Sequence, residues 1–499
     1  MRELLLPLLL AVPLVGSLVL LVAPPRRAER LAAPFGTGVA LVTFVVAVVA
    51  AATFPETDVP WVPSLGLRLH LGIDGISAPL VLLTSGLTAL CMAYLLRIRP
   101  EAGRLRALVG LLLLLEVGML GTFVALDLLL FFVFFEVVLV PMWLVIAQWG
   151  DDSVPGGRRR AADVFILFTL LGSVVMLLGI LLVGLEAGTF DMVELAERQG
   201  AGLSRGVQVL AFLALGLGFA VKTPMWPLHT WLPDAHTAAP TVGSVLLAGV
   251  LLKMGTYGFV RIALPIVPEG AEVVAPWLGA LAVVGIVYGS LACLAQRDLK
   301  RLIAFSSIGH MGFVLLGIST LTPVGVNGAL YANIAHGLIT GLLFFLVGAI
   351  KDRHHTAQIE VLGGGLYERM PRLGALLAFG AVASVGLPGL AGFWGEMLVL
   401  LGAFDPADPL PRGYYLVLMA VAGVGVVLTT TYFVRLLRRV TQGTSFQAWR
   451  DAVLLRDASP HELLVWAPVV VLVLVLGLWP GWLLDASDPV VRALLGGAP

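Results

Sequence analysis

Apolar runs of about 20 residues, the length an α-helix needs to cross a hydrocarbon core near 30 Å, follow one another almost without interruption along this 499-residue chain. Fourteen can be counted, at approximately 4 to 22, 31 to 54, 76 to 96, 105 to 126, 128 to 148, 162 to 185, 207 to 233, 241 to 262, 273 to 296, 302 to 320, 325 to 350, 373 to 402, 414 to 436 and 463 to 485. With 59% hydrophobic and 12% charged residues, a set of soluble domains is excluded. The predicted class is an all-α polytopic membrane protein. The first run superficially resembles a signal peptide, but its thin basic flank and the spans that follow favour a retained helix. No lipidation motif is present. Zero net charge offers no general attraction for nucleic acid. The two cysteines, Cys91 and Cys293, fall inside predicted spans and read as buried apolar groups, with no iron-sulfur or zinc framework.

Basic residues test the count independently, because inner loops should hold the excess of Lys and Arg. Loops after odd-numbered spans, with the adjoining span ends, carry 22 of the 31 basic residues, and the opposite side carries seven. Both termini are therefore predicted on the outer side of the cell (inner) membrane. In this tally Lys300 and Lys351 belong to the inner loops and the span ends beside them.

Two spans contain their own breakers. The seventh reads GFAVKTPMWPLHTWLPDAH, with Pro224, Pro227 and Pro233 soon after Lys222, and the twelfth reads SVGLPGLAGFWGEM, with Pro388 just before Glu396. Proline removes a helix hydrogen bond and clashes with the preceding turn, so each segment should split into half-helices. Breaks at matching places point to inverted repeats. The predicted organisation is a three-helix segment at 1–104, five-helix repeats at 105–262 and 263–439, and an amphipathic connection with the last span at 440–499.

The chain has four lysines, and Lys222 and Lys253 lie deep in apolar helices where none of its 27 arginines goes. A charge near the bilayer centre costs at least about 2.5–3.5 kcal/mol, which makes each a functional candidate. A desolvated ammonium releases its proton readily, whereas a guanidinium does not. Glu136 and Glu396 complete a principal set of four. Glu116 and Glu136 flank a turn at Asp127, roughly 14–17 Å from it on antiparallel helices. They therefore share a depth, and as like charges they should not both ionise easily. Lys222, beside its helix break, is the expected partner of Glu136. Lys253, in LLAGVLLKMGTYG, is expected to have few polar partners. His310 and His336 suit proton relay, though a membrane histidine can also simply bond helices together. His229, His236 and Asp234 can cap or hydrate the broken seventh helix, with proton conduction as the alternative.

Several segments carry a family resemblance: FFEVVLVPMWLVIAQWG, VKTPMWPLHTWLPDAHTAAPTVGSVLLAGVLLKMGTYG, RDLKRLIAFSSIGHMGFV and GLPGLAGFWGEM. Through them the chain resembles, over nearly its whole length, the antiporter-like subunits of respiratory complex I. Their relatives in multisubunit cation/proton antiporters and membrane-bound hydrogenases are similar too. Glutamate at position 396, where the superfamily usually has lysine, resembles chain M, the counterpart of mitochondrial subunit 4. The chain ends soon after its fourteenth span, without the lateral-helix extension expected of chain L. The resemblance implies a proton-translocating subunit of NADH:quinone oxidoreductase that carries no cofactor itself. NADH, FMN, iron-sulfur clusters and quinone would then be handled by partner subunits, and the neighbours would be other antiporter-like membrane-arm chains.

Moving a charge through 150–200 mV takes roughly 3.5–4.6 kcal/mol, and a pKa change of about three units supplies about 4. The expected cycle has Glu136 approach Lys222 and hold its proton, then separate and release it toward Lys253. His336 and water would pass it to Glu396 and the outer face. The alternatives are a subunit of a sodium/proton antiporter or membrane-bound hydrogenase and, in a different class, a non-conducting scaffold. Outside the spans, a short hairpin is expected over 55 to 75 and an amphipathic helix over 443 to 462, both suited to subunit contact.

Overall fold

In the computed structural model, which describes residues 2–62, 67–99, 102–152, 156–443 and 456–496, the chain is a bundle of membrane-spanning helices. Thirteen of them are long and apolar enough to cross a bilayer: Arg2–Val22, Glu29–Thr53, Ser77–Leu95, Leu105–Val124, Leu128–Trp149, Gly157–Ala187, Arg205–Lys222, Thr241–Ile266, Pro268–Ala295, Leu299–Ser319, Pro323–His354, Arg412–Val440 and Pro460–Leu478. The missing twelfth span is the pair Pro371–Ser384 and Ala391–Phe404, too short singly. The protein is thus a multi-pass membrane protein, with fourteen candidate crossings among the described residues.

Helices differ in how much lipid they can see. The first, second and thirteenth spans bury only one face, whereas the eighth, tenth and eleventh are enclosed almost all round by other helices, the pattern of a hydrophobic helix inside a bundle. The charged residues of interest sit on or against those enclosed helices. Close approach is made by small residues: a Cβ on Gly337 of the eleventh span would stand 2.7 Å from the Gly249 carbonyl of the eighth. That crossing brings the Lys253 and His336 side chains to the same place.

Both breaks form where the prolines stand. The seventh span runs helical to Lys222, loses helical order at 223–230 and resumes as Trp231–Ala238, so it reaches further than residue 233. The twelfth breaks over 385–390, where Gly386 has φ +80°, a left-handed conformation that glycine adopts without strain. Two further departures from regular helix go beyond the expected breaks. The fifth span has a joint at Val138, two residues after Glu136. Pro141, lacking an N–H, leaves the Val137 carbonyl without its helical donor. The eighth contains π-helical stretches at Leu247–Leu251 and Phe259–Ala263, on either side of Lys253.

The last span stops at Leu478 rather than near 485, because Trp479 leaves the helix and Pro480 cannot continue its hydrogen bonds. A second, amphipathic helix follows at Gly481–Leu494, burying Leu483, Ser487 and Val491 at helical spacing. The helix expected over 443 to 462 falls mostly outside the described residues, and from Pro460 the chain is already in the last span.

The expected hairpin forms as antiparallel strands Glu56–Val62 and Leu67–Gly72. It is tied to the turn between the fourth and fifth spans, since Leu126 donates its N–H to the His70 carbonyl at 2.9 Å. His70 is held at both ring nitrogens, Nδ1 lying 2.6 Å from Asp191 Oδ2 and Nε2 2.7 Å from Glu56 Oε1. Burial opposes its charge, but the two carboxylate hydrogen bonds outweigh that cost and raise its pKa from 6.5 to about 8. A raised histidine contributes its full stabilisation below 6.5 and loses it as pH rises through about 8. Exposed Glu56 limits the contribution to about 1–2 kcal/mol. Hydrogen exchange of the hairpin amides, corrected for intrinsic base catalysis, should therefore lose protection across that interval, and His70→Asn should show no such step.

Candidate functional site

The four principal candidates fall into two clusters. The first holds Glu136 and Lys222. Lys222 is buried with its Nζ 4.7 Å from the Phe135 ring centroid, a cation-π contact, and no hydrogen-bond partner. Glu136 is within electrostatic reach of Lys222 and beside Ser173 of the sixth span. Its Oε1 is buried without a partner. Among the described residues no ion pair joins Glu136 to Lys222, so the two face each other across a gap. The joint at Val138 and the break after Lys222 place a helix discontinuity next to each.

The second cluster is contiguous. Lys253 Nζ donates to the Ala248 carbonyl at 2.5 Å and is hydrogen-bonded to His336 Nδ1 at 2.6 Å. The rings of His336 and His310 stand 5.6 Å apart between centroids. His310 Nδ1 lies 3.4 Å from Glu396 Oε1, and a 3.0 Å hydrogen bond joins His310 Nε2 to Ser384 Oγ. His310, His336, Thr340, Ser384 and Glu396 line one cavity with room for water. Glu396 approaches the break itself, where a Cβ on Gly386 would lie 2.9 Å from its Oε2.

The expectation that Lys253 has few polar partners is corrected by these contacts. The widened turn at Leu247–Leu251 puts the Ala248 carbonyl within reach of the lysine's own side chain, and the eleventh span supplies the imidazole. Between the clusters, no contact joins Lys222 to Lys253 among the described residues. The seventh and eighth spans meet at Thr223 and Gly255, where a Cβ would overlap Thr223 Oγ1, and that buried hydroxyl has no partner.

Glu116 does not pair with Glu136. Both of its oxygens are buried without partners, and its electrostatic neighbour is Cys91 of the third span. Antiparallel neighbours share a depth, but the direction of each side chain around its helix is set separately. Asp127 is a helix cap, its Oδ1 accepting from the N–H groups of Leu129 and Leu130 at 2.9 Å. Asp234 pairs with Arg301 at 2.8 Å, pinning the second half of the seventh span to the tenth. The His229 ring meets Tyr288 edge-on at 4.9 Å. Cys91 and Cys293 are free and buried.

Sequence reasoning missed the burial of Lys300 and missed Ser384. Lys300 is 4% exposed and donates to the Ala239 carbonyl rather than projecting from an inner loop. The signal available was its being one of four lysines in a chain that elsewhere uses arginine. Ser384 carried only its position at the edge of the GLPG break.

Comparisons with known proteins identify the family to which this fold belongs. Subunit M of the NADH-quinone oxidoreductase of Rhodobacter capsulatus is 42% identical over 473 residues, covering 91% of this chain and 88% of the relative. The NAD(P)H-quinone oxidoreductase chain 4 of Gloeobacter violaceus is 39% identical, covering 98% and 92%. Among solved structures, a chain of respiratory complex I from Thermus thermophilus superposes with a TM-score of 0.86 at 31% identity, covering 98% of this chain and 99% of that one. A chain of the Mrp complex from Dietzia matches with a TM-score of 0.84 at 26% identity, covering 98% of this chain but 51% of its own length. The profile of the NADH:quinone oxidoreductase/Mrp antiporter transmembrane proteins matches residues 125–429, which hold both clusters. This chain belongs to that family.

Proposed function

We propose that this chain is the chain M-type, proton-translocating membrane subunit of an NADH:quinone oxidoreductase. It lies in the cell (inner) membrane with both termini outward. The observation that carries the reading is the unbroken line Lys253, His336, His310, Glu396, in which adjacent groups are hydrogen-bonded or within a water's reach at a depth where ions are costly. Two five-helix repeats, 105–262 and 263–439, each with its broken helix, would place one cluster in the first and extend the other into the second. Segments 1–104 and 440–499 flank them.

Redox chemistry on this reading belongs to partner subunits that hold FMN and iron-sulfur clusters and act on NADH and quinone. The energy arrives through contacts with neighbouring antiporter-like chains. When Glu136 approaches Lys222 it holds the ammonium proton. When it withdraws, the proton moves past Thr223 toward Lys253 and along the histidines to Glu396. The high identity to two quinone oxidoreductase chains, with nearly complete coverage of both partners, favours this assignment over an antiporter subunit. Co-purification with flavin and iron-sulfur proteins tests that choice.

A scaffold would tolerate neutral carboxamides. Glu136→Gln in the complex reconstituted into liposomes is expected to lower NADH-driven proton uptake into the lumen by about tenfold or more, measured with a pH-sensitive dye. Undiminished uptake at normal NADH turnover would favour the scaffold.

A further inference from the structure

Lys300 stands in the first turn of the tenth span, enclosed by the protein. Its Nζ donates to the Ala239 carbonyl at the end of the seventh span, and Asp298 and Asp352 lie within electrostatic reach. Asp352, near the end of the eleventh span, accepts from the Tyr94 hydroxyl at 3.5 Å. Three residues before Ala239 sits His236, fully buried, with neither ring nitrogen hydrogen-bonded. Its ring is stacked on Phe344, 4.7 Å between centroids and 8° between planes. His236 is within electrostatic reach of Lys300 on one side and Lys253 on the other.

The eleventh span supplies a scale for the remaining distance. Phe344, Thr340 and His336 are successive fourth residues, each about 6 Å deeper than the last. Thr340 Oγ1 lies 3.5 Å from His336 Nδ1, the nitrogen that bonds Lys253. Ser244, whose hydroxyl donates to the His236 carbonyl at 3.0 Å, faces the same interval from the eighth span. A histidine kept only for packing would bond at least one nitrogen, and a residue kept only to cap the Ala239 carbonyl could be arginine.

We propose that Asp352, Lys300 and His236 form the inner-face uptake route that delivers protons to Lys253. In each cycle Lys300 gives a proton toward His236 and regains one from Asp352 or the inner water, and His236 passes its proton by way of the Ser244 and Thr340 hydroxyls to Lys253. Asp352, Lys300 and His236 each gain one proton and lose one, and Lys253 hands the delivered proton back to Lys222 when Glu136 returns, replacing the one that went on to Glu396. The route rests on the proton-translocating reading above and adds its inner-side access.

The test uses the assembled complex in liposomes, with lumenal acidification per NADH oxidised as the readout and Glu136→Gln as the reference for the pumping reading. His236→Leu and Lys300→Met are expected to lower pumping by about tenfold or more. Lys300→Arg keeps the charge and the cap, so a structural role would be rescued by it and a relay would not. Added imidazole should restore part of the pumping of His236→Ala and none of that of Glu136→Gln. If Lys300→Arg and His236→Leu pump normally while Glu136→Gln does not, this route is overturned and the pumping reading stands. If Glu136→Gln also pumps, the reading beneath it fails. Should Lys300→Met not assemble, the arginine variant, which preserves the bond to Ala239, decides the question.

Discussion

Lys222→Arg is expected to assemble normally and to lose proton translocation, by about 10²-fold in the rate of lumenal acidification. The substitution keeps the positive charge opposite Glu136. It also keeps the stacking partner, because a guanidinium lies on an aromatic face at least as well as an ammonium, and Phe135 already holds the lysine at 4.7 Å. What it removes is the ability to give up a proton, since a guanidinium stays charged in any protein environment. Lys222→Met would be a weaker probe, because it removes charge and proton together and leaves Glu136 buried without a counter-ion. The measurement is acidification of liposomes containing the complex at matched NADH turnover. Normal acidification would eliminate proton exchange at Lys222 and leave only its fixed charge as a contributor.

The features legible in the sequence are those that hydropathy and proline determine. The fourteen crossings, the hairpin, and the breaks after Lys222 and before Glu396 follow from apolar length and from residues that cannot continue a helix. The candidate lysines and glutamates stood out because ions in apolar surroundings are costly enough to need a reason. Features set by packing were not legible. The π-helical turn at Leu247–Leu251 arises in a span enclosed by neighbours and has no proline to announce it, whereas the one at Phe259–Ala263 precedes Pro265, which cannot donate to the Arg261 carbonyl. The joint after Glu136 had its signal in Pro141, but a proline within a long apolar run is common enough in membrane helices to pass unnoticed.

Direction around a helix is the other quantity that spacing leaves open. Spacing puts Glu116 and Glu136 at one expected depth along antiparallel helices, yet the electrostatic neighbour of the first is Cys91 and those of the second are Ser173 and Lys222. Lys300 shows the converse error. Its neighbours Arg297, Asp298 and Arg301 read as a loop, and so does the average over them, but the helix beginning at Leu299 turns this one side chain inward. Both cases concern azimuth, which only the tertiary packing of a third helix decides.

His336→Phe is expected to abolish proton translocation as completely as Glu396→Gln, with no further loss in the double variant. The argument comes from the serial arrangement of the second cluster. His336 is the group that touches Lys253, at 2.6 Å, and also faces His310, which in turn lies 3.4 Å from Glu396. Phenylalanine fills nearly the same volume, so the crossing at Gly249 and Gly337 is preserved and no cavity opens. Only the nitrogens are removed. In a series, one blocked step sets the whole flux, and the free-energy costs of two blocks do not add, whereas two independent contributions to stability at separated sites would add to within about 0.5 kcal/mol. The decisive comparison is therefore the acidification rate of the two single variants and the double variant at equal amounts of assembled complex. If each single variant retained part of the rate and the double lost the product of the two factors, the histidines and Glu396 would be acting in parallel, and conduction along a single line through them would be refuted.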